Sequence, residues 1–517
     1  MSDDTLMRKG SQVLSLVPQN QQEFTAGQKC VIIVPPDIGY LKGRSSYLVV
    51  DVLNTSPTFQ RWMLPGSGQC LISQLDIFAG SGAGGLLLES LQNYNQWAAF
   101  EDQYIHNDQT ARHPKEGQRT PADQYTCTGL GGAGLTAVLP TTSSADGSSS
   151  INGQISPLDT SGNPKYVSRR LCIPLKCGVF RWWDSEKLTP VIATSGIRIE
   201  ITFGSNAQVC QNLASLAGTT VTKCTRIPHG IIAAAATTLE LTGVKSIEES
   251  GLAVGNVLET STLVGLGAIT ALGIAGGSGD VEVTFTTAHA AGEAAANLKV
   301  VNHNAVSYKV TKCELRAVQI VPPASLAQKA LSGMKFQYTT YNHFVDTVLT
   351  SSRRHVTEIP SVASRGKSMI SLFSDVNEEE ETISPSYYTG IDPTQMSMNS
   401  VQYFLANRAY PLRAYDPRIK SDRCITQNEL VKAFSGCDKV TTSLGSADSF
   451  DLDIYSQTFG LGRELARGSE FSYDLRSAEP QLRLGFSAVR TTNTRVNTFV
   501  FSDVVLSVGA EGLQIEL

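Results

Sequence analysis

The stretch "AGSGAGGLLLESLQNYNQW", Ala79–Trp97, decides between two fold classes. Gly80, Gly82 and Gly85 spell G-x-G-x-x-G, the turn that opens a dinucleotide-binding helix. In that fold the preceding strand is apolar on both faces. The acid that holds the ribose ends a second strand, beyond the helix. Here the preceding "LISQLDIF" carries Ser73, Gln74 and Asp76, so it is half polar. Leu87, Leu91, Tyr94 and Ala98 share one helical face, which predicts a helix over about Leu86–Phe100. Glu101 and Asp102 then fall at the end of that same helix, with no second strand before them. The nucleotide reading fails on context. The glycines read better as a sharp turn from a sheet edge into a packing helix.

Elsewhere the dominant period is two. "GIRIEITF" alternates Ile197, Ile199, Ile201 and Phe203 with polar residues. "SFDLDIYS" does so with Phe450, Leu452 and Ile454, and "QLRLGFSAV" with Leu482, Leu484 and Phe486. Such alternation marks half-buried antiparallel strands. Further helical patterns are short, Ala324–Leu331 and Gln427–Phe434. The expected class is all-β.

The bulk numbers agree. Of 517 residues, 17% are charged, against roughly 25% in an average soluble protein. Low charge suits a surface buried against other copies, because interface cores are depleted in charge. A net charge of −5 argues against wrapping nucleic acid. The ten cysteines contain no C-x-x-C; they read as reduced core residues, which favours a reducing compartment. The opening 24 residues show no signal peptide. Thr260–Gly279 is uncharged and long enough to span a membrane, but its Gly, Ser and Thr content and its acidic flanks argue against it.

The chain repeats itself loosely. "VPPDIGYLKGRSSYLVVDVLN", Val34–Asn54, has a later counterpart in "IPSVASRGKSMISLFSDVN", Ile359–Asn377. Each is followed by a strand, a break, a helix and then alternating strands. Two copies of one β-unit are expected, divided near Ile320–Phe336. The halves match in length once residues 204–305 are set aside. That Ala-, Gly- and Thr-rich block, whose only aromatic residue is Phe285, reads as a β-rich module inserted in a loop. Residues 106–165 read as a long surface loop.

Chemical motifs are sparse. Glu378–Glu381 lacks the spacing that wraps calcium and reads as a solvated loop. The seven histidines, at 106, 113, 229, 289, 303, 343 and 355, form no metal-binding spacing. "SSRRHV", Ser351–Val356, reads as a hairpin loop or as a contact to an acidic neighbour. The sequon at Asn54 carries no weight without a secretory signal. No catalytic, cofactor-binding or metal site is expected.

Specific residues resemble a known family. "CIPLKCGVF", Cys172–Phe180, followed by "KLTPVIATSGIRIEITF", Lys187–Phe203, resembles the first roll of double-jelly-roll major capsid proteins. The matching positions are Ile173, Pro174 and Leu175, then Leu188, Pro190 and Val191, then Ile197–Phe203. The stretch from Leu71 to Trp97 is similar to that family's early strand, turn and helix. "NRAYPLRAYDP", Asn407–Pro417, resembles the second roll in polinton-like viruses and virophages.

The resemblance implies two tandem eight-stranded jelly rolls with short helices. The limits would be an N-terminal arm at 1–22 under the shell, a first roll at 23–322, a linker at 323–336 and a second roll at 337–517. Loop 106–165 and module 204–305 would follow the fourth and sixth strands of the first roll and form an outward tower. Function would be structural and not enzymatic. Homotrimeric, pseudo-hexameric capsomers would tile an icosahedral shell in the virion of a DNA virus, assembled inside the host cell. Partners would be neighbouring capsomers, with penton and minor capsid proteins; an internal membrane stays open, and sequence-specific nucleic-acid binding is not expected. The alternative is a β-sandwich that binds or cleaves carbohydrate, with Trp182 and Trp183 as its aromatic platform.

Overall fold

The computed structural model describes residues 11–55, 62–63, 68–82, 84–104, 154–155, 168–180, 188–212, 226–229, 236–241, 254, 257–259, 265–286, 296–302, 307–323, 328, 333, 335–361, 363–376, 393, 396–436, 459–466, 473–490, 493–509 and 512–516. Its first unit uses β1 (Ser11–Leu16), β2 (Lys29–Val34), β3 (Tyr47–Asn54), β4 (Ile72–Ala79), β5 (Leu86–Gln92), β6 (Ser168–Pro174), β7 (Ile197–Phe203) and β8 (Tyr308–Ile320). They form two sheets, ordered β1-β8-β3-β6 and β2-β7-β4-β5, with every pair antiparallel.

The second unit uses β9 (Lys335–Val348), β10 (Arg354–Glu358), β11 (Gly366–Asp375), β12 (Met398–Leu405), β13 (Arg408–Tyr415), β14 (Gly460–Glu464), β15 (Gln481–Phe486) and β16 (Thr494–Gly509). Its sheets are β9-β16-β11-β14 and β10-β15-β12-β13, again antiparallel. Adding eight to each label of the first unit gives the second. The two units are therefore jelly rolls of one topology. Short strands lie off these paths: Phe24–Thr25 and Tyr40–Leu41 pair with β8, and Gly512–Glu516 pairs with β16.

The period-two segments behave as expected. Ile197, Ile199, Ile201 and Phe203 are buried on β7, and Leu482, Leu484 and Phe486 on β15. Alternation places one face of each sheet on a core shared with its partner sheet. Ser449–Ser456 lies outside the described residues, as does most of Ala324–Leu331. Within the module, Gly265–Ile274 is a strand, not a membrane helix. Among the described residues no helix is long and apolar enough to cross a membrane.

Three expectations are corrected. First, Leu86–Gln92 is strand, and the helix α1 runs from Tyr94 to Tyr104. The four-residue spacing of Leu87 and Leu91 imitates a helix, but the backbone pairs with β4 from Leu86↔Ala79 to Gln92↔Gln74. Asn93, at φ 49°, turns the chain from strand into helix. The later helix, α2 (Lys420–Gly436), also exceeds its expected limits.

Second, residues 1–22 are not simply an arm. Ser11–Leu16 is β1, paired with β8 from Ser11↔Ile320 to Leu16↔Leu315, with Leu14 and Leu16 packed against the core. Two inward leucines in six residues are too weak an alternation to read from sequence. Residues 1–10 lie outside the described residues.

Third, because β5 is a strand, each inserted segment moves one place along. Residues 106–165 follow the fifth strand and α1, and the module follows the seventh. Both leave and return at one end of the first roll, where Ser168 pairs with Leu53 and Tyr308 with Asn54. A three-stranded sheet of Gln211–Asn212, Trp62–Met63 and Gln154–Ile155 ties three connecting segments together there. The module holds a six-stranded sheet of its own, from Arg226–His229 to Ala296–Asn302. Its Val281, Val283 and Phe285 alternate inward.

Candidate functional site

Surfaces where rolls meet are the candidate sites of this molecule. One such surface lies inside the chain. Strand β5 and helix α1 of the first roll pack on β9 and β16 of the second, and one continuous apolar core joins the two rolls. Trp97, on α1, is fully buried, with ring centroids 4.7 Å from Phe501, 5.3 Å from Phe499, 6.0 Å from Tyr341 and 5.8 Å from Phe434. Tilted aromatic contacts of this kind add to the energy of burial.

Polar groups fix the register of this junction. The Tyr338 hydroxyl donates to the Leu88 carbonyl at 2.5 Å. The Glu89 carboxylate accepts from the backbone N–H groups of Gly178 and Val179, each at 3.0 Å. A side chain at Gly178 would put its Cβ 2.0 Å from the Thr339 carbonyl oxygen, so close approach of the rolls requires glycine there. Asn93 and His343 meet at 3.2 Å, and His343 meets Asn497 at 3.0 Å. Burial lowers the His343 pKa, opposed by its hydrogen bond to Asn497.

The glycine turn singled out from sequence is the β4–β5 hairpin. Gly80 has φ 88° and its N–H donates to the Gly196 carbonyl at 2.8 Å. The Arg198 guanidinium donates to the Gly82 carbonyl. A Cβ at Gly85 would lie 2.5 Å from the Ala79 carbonyl oxygen. Glu101 is buried on α1, and Asp102 lies on the same helix. The acids therefore do not end a second strand.

Other singled-out residues scatter. Ser351–Val356 forms the β9–β10 connection and the start of β10, where Arg353 donates to the Ser487 carbonyl and His355 meets the Asp346 carboxylate at 2.7 Å. β9 and β10 lie in different sheets, so the segment is a connection between sheets and not the expected hairpin loop, and its acidic contact is to Asp346 of the same chain. Asn54 is buried. Cys30, Cys70, Cys177, Cys210 and Cys313 are buried, and burial pushes the Cys177 and Cys210 thiols up; Cys424 is exposed. His229 lies on a module strand. Glu378–Glu381, Trp182, Trp183 and the histidines at 106, 113, 289 and 303 lie outside the described residues. Among the described residues no three His, Cys, Asp or Glu side chains gather as a metal site.

Sequence reading missed the outer edges. Strand β13 ends its sheet and exposes Leu412 at 95%. Strand β1 ends another and exposes Val13 at 60%. An apolar residue on a strand gives no signal of its own that its face is open.

No protein-family model matches the chain. No curated protein matches it in sequence. Solved structures do match in shape. PBCV-1 VP54, as fitted into a reconstruction of the virophage Sputnik, superimposes with a TM-score of 0.50 at 9% identity, covering 98% of this chain and 96% of that one. The Faustovirus major capsid protein superimposes with a TM-score of 0.51 at 10% identity, covering 96% of this chain and 90% of that one. Both likenesses span the two units and not one alone. The chain thus has the double-jelly-roll fold, the fold of these viral capsid proteins.

Proposed function

We propose that this chain is a major capsid protein, a structural subunit and not an enzyme. The observation that carries this reading is the pair of topologically identical rolls, aligned over almost their whole length with the Faustovirus major capsid protein. A low overall share of charged residues and apolar residues on open strand edges support it, since interfaces that bury a core are depleted in charge. Three copies, each supplying two similar rolls, form a pseudo-hexameric capsomer. Capsomers tile an icosahedral shell, where they meet one another and the shell's penton and minor proteins. The chain's place is the virion capsid, assembled in the host cell.

Mechanism is then assembly. Head-to-tail contacts around a three-fold axis close a ring, driven by burial of apolar edge surface. Contacts between capsomers are weaker, which lets misplaced units leave. The test is light scattering with electron microscopy on purified full-length protein. A trimer with a hexagonal outline is expected. A monomer at all accessible concentrations overturns the reading.

A further inference from the structure

We infer that Cys30 and Cys313 are a disulfide-forming site. Supplied with a small-molecule disulfide such as oxidised glutathione, they close a covalent clasp between the two sheets of the first roll.

Cys30 lies on β2 and Cys313 on β8, strands of the two facing sheets. Their Sγ atoms are 3.7 Å apart, although the residues stand 283 positions apart in sequence. Both side chains point into the core of the roll, at 0% and 4% exposure. The backbone puts them there. On β2 the inward positions are Cys30, Ile32 and Val34. On β8 the inward series Tyr308, Val310 would run on to Lys312. Thr311 interrupts it as an extra residue, because Val310 pairs with Val52 and Lys312 already with Asp51. This bulge shifts the alternation by one place. Cys313, Leu315 and Ala317 therefore turn inward, and Lys312 is exposed. A disulfide bond is about 2.05 Å long, so closure brings the sulfurs together by about 1.7 Å.

The bond would fasten a strand that is held on one side. β2 ends its sheet and pairs there only with β7. On its other side the Gln19 N–H donates to the Val31 carbonyl at 2.8 Å. Loosening of that connection is the route by which the oxidant reaches the sulfurs. One cysteine thiolate attacks oxidised glutathione, forms a mixed disulfide and releases one glutathione. The other thiolate attacks the mixed disulfide and releases the second. The two protein thiols lose two electrons and two protons, and the glutathione disulfide gains them as two glutathione molecules. The hydrogen bond with Cys30 and burial push the Cys313 thiol up, which keeps its thiolate scarce and the exchange slow. In a reducing compartment the pair therefore stays as thiols. On the capsid reading the clasp closes after assembly, when the particle reaches oxidising surroundings; the chemistry does not depend on that reading.

The test uses full-length protein held in oxidised glutathione, at room temperature and again a few degrees below its melting temperature, where β2 opens. Free thiols are then alkylated and the chain is cut after lysine and arginine. Cys30 falls in the peptide Cys30–Lys42 and Cys313 in Cys313–Arg316, each with one cysteine. Cys424 is exposed and takes up glutathione as well, so the readout is the linked peptide and not the thiol count. The two peptides are expected joined, at a mass two hydrogens below their sum. The oxidised chain should melt about 5 °C higher than the reduced one, because the bond closes a long loop, and dithiothreitol should reverse the rise. Cys30→Ala should show neither the linked peptide nor the rise. Oxidised and reduced samples are compared within each variant, so any loss from truncating the core drops out. Should Cys30→Ala not fold, Cys313→Ser replaces it. Unlinked peptides at both temperatures, or equal melting of oxidised and reduced wild type, overturns the inference and leaves the capsid reading untouched. A monomer overturns the capsid reading and leaves this inference standing.

Discussion

The Trp97 ring lies 4.7 Å from the Phe501 ring, at 58°, and the two belong to different rolls. The junction between rolls is thus packed like the interior of each roll. Trp97→Ala is expected to destabilise the chain by about 3–5 kcal/mol, the range for deleting a large buried aromatic. Because the cavity opens at the junction, the rolls should also unfold less cooperatively. Denaturant unfolding followed by far- and near-ultraviolet dichroism checks this: the two traces coincide in the wild type and separate in the variant. Trp97→Phe should keep most of the coupling.

Glu89 and Gly178, both of the first roll, shape its side of the same junction, where Gly178 approaches Thr339 of the second. Glu89→Ala leaves the N–H groups of Gly178 and Val179 without their carboxylate, at about 1–3 kcal/mol for each group left unsatisfied. Gly178→Ala drives a methyl group into the Thr339 carbonyl and costs about 1–3 kcal/mol or more. Both act on one contact, so the double variant should lose less than the sum. Urea midpoints of the three variants and the wild type measure the shortfall.

Acid should loosen the junction through His343. Its pKa in the folded chain lies below the ordinary value, because burial disfavours the charged ring. The unfolded chain therefore binds more protons in the window below about pH 6.5. The stabilising contribution of the neutral ring is complete above that pH. It declines as pH falls toward the folded-state value. Stability curves between about pH 8 and pH 5 should show a steeper acid loss in the wild type than in His343→Gln. Equal slopes would assign the loss to other groups.

In the second roll Lys367 and Asp503 meet at 3.0 Å, with side chains only 1% and 5% exposed. Asp503 also accepts from Thr339 at 2.7 Å and Gln337 at 2.9 Å. Lys367→Met leaves a buried carboxylate without its cation and should cost about 3–5 kcal/mol. Lys367→Met with Asp503→Leu should recover part of that loss, since no charge then stays buried. Thermal and denaturant unfolding of both variants give the comparison.

Much of the fold was legible where one side of a strand faces a core. β7 and β15 announce themselves because each inward residue is apolar and each outward residue tolerates polarity. β5 did not, because apolar residues stand at its exposed positions as well as its buried ones. Its consecutive Leu86, Leu87 and Leu88 break the alternation although the first two are exposed, and the four-residue spacing of Leu87 and Leu91 imitates a helix. β1 failed for the same reason: its outward Val13 is apolar, so the alternation blurs. The duplication showed in the order of elements, while the register and the junction arise from residues hundreds of positions apart. Trp97 and Phe501 have no local signal that connects them. The open edges were equally hidden, since exposure belongs to the assembled surface and not to the strand pattern.

A hydrogen bond spans the base of the inserted module. The Tyr308 hydroxyl donates to the Gly204 carbonyl at 2.6 Å, joining the first residue of the module's span to the first strand after it. β7 and β8 are thereby held in place whatever chain is strung between them. Residues 204–305 can lengthen, shrink or be exchanged while the sandwich beneath keeps its shape. The module can then vary while β7 stays paired with β4 and β8 with β3.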